Sequence, residues 1–343
     1  MKRLAALAVT SLLAFSACSG GGTTAPHAPG ALAPSPTKQI LTAYRVPLTH
    51  VASVDAAAAA GAKLHQAQAG TRGTQGLGGL PTIDGTIDTT FAILDAPRFG
   101  AGAQVNVAIL GVEAVGADGV AYSIVSYPSP VVVNMLNYKS SALVLGHNAI
   151  PNQNYTALRL VVQASASSLY AWNAKYPVTY GYYDRSHTFT ASSGDISTVD
   201  FPVKLDTTSG APIVLADFNT VESVKVRGGQ ALFGSRIAAA PYNSSSVITG
   251  TVVNKAGAPV GAAIIAAIDS NGNVANTTMA DDDGAFEIHA ITGGTYQIMI
   301  YNDYTNAAGD ELTSNLADSS ADITGPRITV PSGFSVNIGK ITD

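Results

Sequence analysis

The sequence predicts an all-β protein, two β-sandwich domains set behind an export signal and a disordered tether, and three observations carry that prediction. From about Thr86 onward, apolar residues recur with a period of two in short runs separated by Gly, Pro, Asn and Asp. Charged residues are only 12% of the 343-residue chain, while β-branched residues and glycines abound, a composition suited to half-buried strands and tight turns. The chain has one cysteine, so each domain must be held by an apolar core and not by internal disulfides.

The export signal is read at residues 1–17. Lys2 and Arg3 form a basic head, residues 4–15 are uncharged and mostly apolar, and small residues lead into Cys18. A run this short is a secretory signal and not a membrane span, which needs about 20 apolar residues. Phe15-Ser-Ala-Cys18 resembles a bacterial lipobox, although an aliphatic residue is usual where Phe15 stands. The resemblance implies that Cys18 is lipidated and becomes the new N-terminus; the alternative is a plain signal with an unrelated cysteine at the cut. Each buried acyl CH₂ contributes about 0.8 kcal/mol, so several chains anchor firmly where one does not. The expected location is exported and membrane-anchored through the lipid, at the outer membrane or cell surface. Cleavage removes Lys2 and Arg3 and moves the formal net charge from −5 to −7. That acidity disfavours nucleic acid as a partner, which attracts clustered Lys and Arg.

Residues 18–85 read as the tether. Residues 19–36 are Gly, Ser, Thr, Ala and Pro with almost no apolar pattern, too little to offset the entropy of ordering. An extended piece is expected at 38–48. A short alanine-rich helix is expected at 53–68, with Ser53 as its N-cap, and a glycine-rich hinge at 70–79.

The first sandwich is read at 86–246. Val105, Val107 and Ile109 share one face, while Leu110 and Val112 continue on the opposite parity, which signals a bulge near Leu110 or Gly111. Thr156, Leu158, Leu160 and Val162 face away from Tyr155, Arg159 and Gln163. Val199, Phe201, Val203 and Leu205 alternate with polar residues, and Pro202 confines that strand to an edge or an irregular position. Further strands are expected near 120–126, 131–135, 176–183, 213–218 and 231–239. The second sandwich is read at 247–343. Its strands include residues 248–253, an apolar face of Ile264, Ala266 and Ile268, then Phe286 with Ile288, Tyr296 with Ile298 and Ile300, and a closing strand of Phe334, Val336 and Ile338. Asp269-Ser-Asn-Gly-Asn273 is a hairpin turn.

Two stretches resemble known families. Gly250-Thr-Val, Gly257-Ala-Pro-Val260, Asp281-Asp-Asp-Gly284-Ala-Phe286 and Gly294-Thr-Tyr296 resemble the carboxypeptidase regulatory-like, transthyretin-like sandwich. In that pattern a tight turn delivers Phe286 into the core. Ile93-Leu-Asp-Ala-Pro97, the run from Val105 to Glu113, Tyr155-Thr-Ala-Leu-Arg-Leu160 and Val214-Leu-Ala-Asp-Phe218 resemble the bacterial lipoprotein domain of unknown function DUF4382, with Asn154 where the family usually has Gly. The resemblance implies a lipoprotein signal, this domain and then a transthyretin-like module; it implies no reaction.

No metalloprotease, paired-cysteine, nucleophile-elbow or phosphate-loop motif is present, and the six histidines are scattered. No cofactor or metal is therefore expected. Asp281, Asp282 and Asp283 offer oxygen ligands but lack the loop and closing Glu of a calcium site, so a structural turn accounts for them. The densest chemistry is aromatic: Tyr170, Trp172, Tyr176, Tyr180, Tyr182 and Tyr183, with Asn173, Asp184 and Arg185 among them. Such rings stack on sugars or partner proteins, and they also pair across strands inside a sandwich. The sequence thus supports a non-enzymatic envelope lipoprotein making structural or adhesive contact. The alternative is a carbohydrate-binding surface protein using the 170–183 cluster. An uncharacterised hydrolase is a third reading, which clustered, perturbed carboxylates in a pocket would favour.

Overall fold

The computed structural model describes residues 40–43, 46–49, 85–95, 102–183, 189–191, 194–208, 212–234, 236–301, 321 and 323–342. The export signal with Cys18, the helix expected at 53–68, the hinge at 70–79, and Asp184 and Arg185 lie outside the described residues. Residues from Pro36 to Asp343 form one compact unit.

Two short strands lead the unit, β1 (Ile40–Ala43) and β2 (Leu48–Thr49). The first sandwich follows with β3 (Thr86–Leu94), β4 (Gln104–Gly116), β5 (Ala121–Asn134), β6 (Ala142–Pro151), β7 (Asn154–Gln163), β8 (Ser168–Ala171) and β9 (Ala174–Tyr183). It continues with β10 (Phe189–Ala191), β11 (Ile196–Asp206), β12 (Ile213–Asp217), a single helical turn α1 (Thr220–Ser223), β13 (Val224–Arg227), β14 (Gln230–Phe233) and β15 (Ala238–Pro241). The second sandwich holds β16 (Ser246–Val253), β17 (Ile264–Ile268), β18 (Val274–Met279), β19 (Ala285–Ile291), β20 (Gly294–Tyr301), β21 (Ile323–Val330) and β22 (Phe334–Thr342).

In the first sandwich a nine-stranded sheet runs β11-β7-β4-β8-β9-β14-β13, with β5 also on β4 and β10 on β9. It faces a five-stranded sheet, β15-β12-β3-β6-β2. The core between them takes Val105, Val107 and Ile109 from β4, Leu158 and Leu160 from β7, and Phe91 and Ile93 from the opposite sheet. The expected bulge is present, as pairing slips between Ile109 and Gly111 on both sides of β4. β11 is an edge strand whose register breaks between Pro202 and Leu205, where proline cannot donate to the ladder.

Two expectations change, and Asn154 proves unstrained. Tyr155 is buried and Thr156 exposed, the reverse of the simple alternation. Thr156 is the extra residue of a bulge against β4, since Ala157 opposes Val115 while Tyr155 opposes the next residue, Gly116; the Tyr155 hydroxyl then donates to the Pro151 carbonyl at 2.7 Å. Asn154 opens β7 without positive φ, so the replacement of the family's Gly carries no backbone strain. The strand expected at 231–239 is two strands, β14 and β15, because the chain turns at Gly234, whose N–H bonds the Ser223 carbonyl.

The second sandwich packs the sheet β1-β22-β16-β19 on the sheet β18-β17-β20-β21. Its core holds Ile248, Ile265, Phe286, Ile288, Ile298 and Val336. The core face of β17 is Ile265 and Ala267; Ile264 and Ala266 are equally buried on the other side, so the face assigned from sequence is the outward one. Phe334 is 38% exposed, and the closing strand reaches the core through Val336, Ile338 and Ile341.

The Asp-rich element is a turn built from backbone geometry. Asp281 Oδ1 accepts from the N–H groups of Asp283 and Ala285 at 3.0 and 2.8 Å. Gly284 sits at φ +73°, where a Cβ would stand 2.3 Å from the Val252 carbonyl oxygen. Phe286 then enters the core over Gly250, where a Cβ would lie 2.7 Å from the Phe286 ring. Gly284→Ala combines backbone strain with a clash against an immobile carbonyl, so it should cost about 3 kcal/mol. Urea denaturation of the variant checks this; an unchanged midpoint would refute it.

Candidate functional site

The aromatic cluster does not form one surface. β8 and β9 pair Ala171 with Ala174, leaving Trp172 and Asn173 as a two-residue hairpin loop. Their φ angles are +50° and +60°, the pattern of a type I′ turn, which favours Asn-Gly and makes a bulky residue costly. Trp172 is 58% exposed and sits edge-on to Tyr176, with ring centroids 6.3 Å apart. Tyr176 is half-buried and packs against the core. Tyr170 opposes Lys175 across the hairpin and is exposed, on the sheet face opposite to Tyr176, which opposes buried Leu169.

Tyr180, one of the rings expected to make contact, is instead a core residue. It is 1% exposed, lies edge-on to Phe233 at 5.6 Å, and its hydroxyl shares a 3.0 Å hydrogen bond with the Ser167 hydroxyl. Tyr182 and Tyr183 pair with Thr190 and Phe189 of β10; their side chains lie outside the described ones. Among the described side chains of the cluster, the accessible ones are therefore Trp172 at the hairpin tip, with the edge of Tyr176, and Tyr170 on the other face.

A second site, not anticipated from sequence, lies where the sandwiches meet. The β12–α1 corner of the first sandwich enters against β18 of the second. Asn219 Nδ2 donates to Asn276 Oδ1 and to Thr277 Oγ1, each at 2.7 Å. Asn276 Nδ2 in turn donates to Asp217 Oδ2 at 2.7 Å and to the His289 carbonyl at 2.8 Å. Asn219 also caps α1, accepting from the Glu222 N–H. All four side chains are buried. Val221 lands beside them on Ile264, Ala266 and Tyr301.

Two further acids stand at this joint. Asp95 is fully buried and accepts from the Thr220 N–H at 3.1 Å. Burial, and then the negative charge of Asp217, push its pKa well above the usual carboxylate range. Glu222 is 4% exposed, with Oε1 lacking a hydrogen-bond partner and Oε2 3.6 Å from Arg236 Nε. Burial raises its pKa to about 7, against the opposing pull of Arg236. Glu222, Arg236, Asn219, Asn276 and Tyr296 line a cleft of about 260 Å³ between the sandwiches.

These acids do not form the catalytic arrangement that a hydrolase needs. Asp95 and Asp217 are sealed from solvent, and the cleft presents Glu222 opposite a cation, with no second carboxylate among its lining residues. Among the described residues no group of three His, Cys, Asp or Glu is placed to hold a metal ion. The nearest sequence signal for the joint is Val214-Leu-Ala-Asp-Phe218; an acid ending a fully apolar strand marks a buried charge with a partner elsewhere.

Residues 86–233 match the family model of the domain of unknown function DUF4382, and residues 247–324 match that of the carboxypeptidase regulatory-like domain. Among curated proteins none matches. Solved structures similar to the chain include the major pilin subunit BcpA of Bacillus cereus, 12% identical over 75% of this chain and 69% of that one, with a TM-score of 0.21. The shaft pilin SpaA of Lactobacillus rhamnosus GG is 12% identical over 75% and 96% of the respective chains, with a TM-score of 0.20. The Bacillus anthracis TIE protein is 9% identical over 82% and 42%, also at 0.20. Likenesses of this size do not extend to function.

The raised pKa of Glu222 has a definite sign. The unfolded chain loses this proton near pH 4.5 and the folded chain near 7, so the contribution to stability is full below 4.5 and lost as pH rises through 7. The loss amounts to about 3 kcal/mol. Urea titrations between pH 4 and 8 should show this fall, and Glu222→Gln should reduce the slope to the share left by Asp95. Equal slopes in both proteins would refute it.

Proposed function

We propose that this chain, a DUF4382 domain followed by a carboxypeptidase regulatory-like domain, is a non-enzymatic lipoprotein of the cell envelope that makes structural or adhesive contact. The observation carrying this reading is the joint. The two sandwiches are held together by the buried Asp217–Asn219–Asn276 network, so they behave as one stiff body, as a projecting module needs. Asp95 and Asp217 support the same reading, because their oxygens hold main-chain and amide donors in place at the joint. Cys18 anchors the body through lipid, at the outer membrane or cell surface. Radioactive palmitate should label the wild type and leave Cys18→Ala unlabelled; equal labelling would remove the anchor.

A second reading, carbohydrate contact, is favoured by one observation. Trp172 is held exposed in a left-handed turn position, a conformation costing on the order of 1 kcal/mol that an Asn or Gly would reduce or avoid. A flat ring supported edge-on by Tyr176 suits stacking on a sugar face or on a partner's apolar patch. Trp172 is the only tryptophan, so its fluorescence reports on this hairpin alone. Titration with a panel of polysaccharides should shift the emission if glycan is the partner. No shift with any of them, alongside unimpaired surface adhesion of Trp172→Ala cells, would remove the hairpin from both readings.

A further inference from the structure

We propose that the cleft between the sandwiches binds a small zwitterionic α-amino acid with an aliphatic side chain, its ammonium group on Glu222 and its carboxylate on Arg236. Both sandwiches build the site. Glu222 comes from α1, and Arg236 and Ile237 from the segment before β15; Val274, Ile291 and Tyr296 come from the second sandwich. The volume of about 260 Å³ lies just below the range of about 300–1,000 Å³ that holds drug-sized ligands, so it suits a molecule of amino-acid size.

The polar groups of the cleft decide the ligand class, because most of them are already engaged. Asn219 Nδ2 donates to Asn276 and Thr277, and Asn276 Nδ2 to Asp217 and the His289 carbonyl. The Tyr296 hydroxyl donates to the Thr292 carbonyl at 2.7 Å. Glu222 and Arg236 are different. Glu222 is buried, yet its Oε1 has no partner and its Oε2 stands 3.6 Å from Arg236 Nε, beyond hydrogen-bond length. Arg236 is about half exposed, and among the described residues its guanidinium makes no hydrogen bond. A buried carboxyl with an unused oxygen calls for a donor, and an ammonium group brings three. A guanidinium with free N–H groups calls for a carboxylate, which it can hold through paired bonds. A ligand with both charges on one carbon answers both groups together, which a simple amine or a simple acid cannot. The remaining lining is aliphatic, with Ile237, Val274 and Ile291, and covers a branched hydrocarbon chain. Burial raises the Glu222 pKa to about 7, so the carboxylate that an ammonium group needs is present in mildly alkaline solution. Binding needs no lipid and no surface contact, so its failure leaves the anchor and the adhesive reading as they stand.

Isothermal titration of the full chain tests it, at pH 8, above the value of about 7 at which Glu222 loses its proton. The probe is L-leucine, set against two molecules that each lack one of its charges: isoamylamine, without the carboxylate, and isocaproate, without the ammonium group. L-Leucine should bind one to one, and each analogue at least about 10-fold more weakly, the loss expected when a charged hydrogen-bonding group goes unmatched. Glu222→Gln and Arg236→Gln should each weaken leucine binding by a similar factor, with circular dichroism spectra that match the unaltered protein. The analogue comparison uses the unaltered protein, so it decides the question even where a variant fails to fold. Isoamylamine binding as tightly as leucine removes Arg236 from the site, isocaproate doing so removes Glu222, and either result overturns the assignment. No binding of leucine up to about 10 mM, or leucine binding unchanged by both substitutions, overturns the site itself.

Discussion

The arrangement of the two sandwiches depends on one buried exchange of hydrogen bonds, Asn219 to Asn276 to Asp217. Apolar contact alone would not fix their relation. Val221 rests on Ile264 and Ala266, and aliphatic surfaces of that kind tolerate sliding, since burial of area has no direction. Amide and carboxylate groups do have direction. Each buried polar atom left without a partner costs about 1–3 kcal/mol, so a small displacement that breaks several of these bonds together is penalised heavily. The apolar patch supplies attraction; the polar exchange selects one position.

That selection has an electrostatic cost, which explains the acids around it. Asp95 follows β3 and Asp217 ends β12, and these two strands run parallel side by side, with Leu94 opposite Asp217. The topology therefore brings two carboxyl groups close together in a dry place. Asp217 is compensated by the Asn219 N–H and the Asn276 amide, and Asp95 responds by holding its proton more tightly. Glu222, one turn later, has only a loosely placed Arg236. The raised pKa of Asp95 follows from burial and from this meeting of strand ends, and that of Glu222 from its burial at the joint.

The sandwiches were legible because their strands alternate. β11 shows it in full, with every second residue from Ser197 to Leu205 buried, and Pro202 announced its irregular edge. The bulge at Gly111 could be read from the change of parity. The joint could not, for a physical reason. Ile264-Ile-Ala-Ala-Ile268 and Phe91-Ala-Ile-Leu94 are continuous apolar runs, and periodicity cannot say which side of such a strand is core when both sides are covered. That continuity was itself the signal that a second layer covers the outer face. The aromatic run was misleading for a related reason: Tyr180 and Trp172 are equally aromatic in sequence, and only the hairpin turn at 172–173 sends one into the core and the other into solvent.

The two leading strands, β1 and β2, give the molecule a mechanical order of failure. Tension entering from the N-terminal side of Ile40 reaches β1 before it reaches either core. It then loads Val46 and β2, so the pull is shared between both sandwiches at their junction and does not fall on one end of the body. Four residue pairs on β22 and two on β6 are a much smaller barrier than a sandwich interior. Under load β1 and β2 should therefore detach before the strands from β3 onward separate.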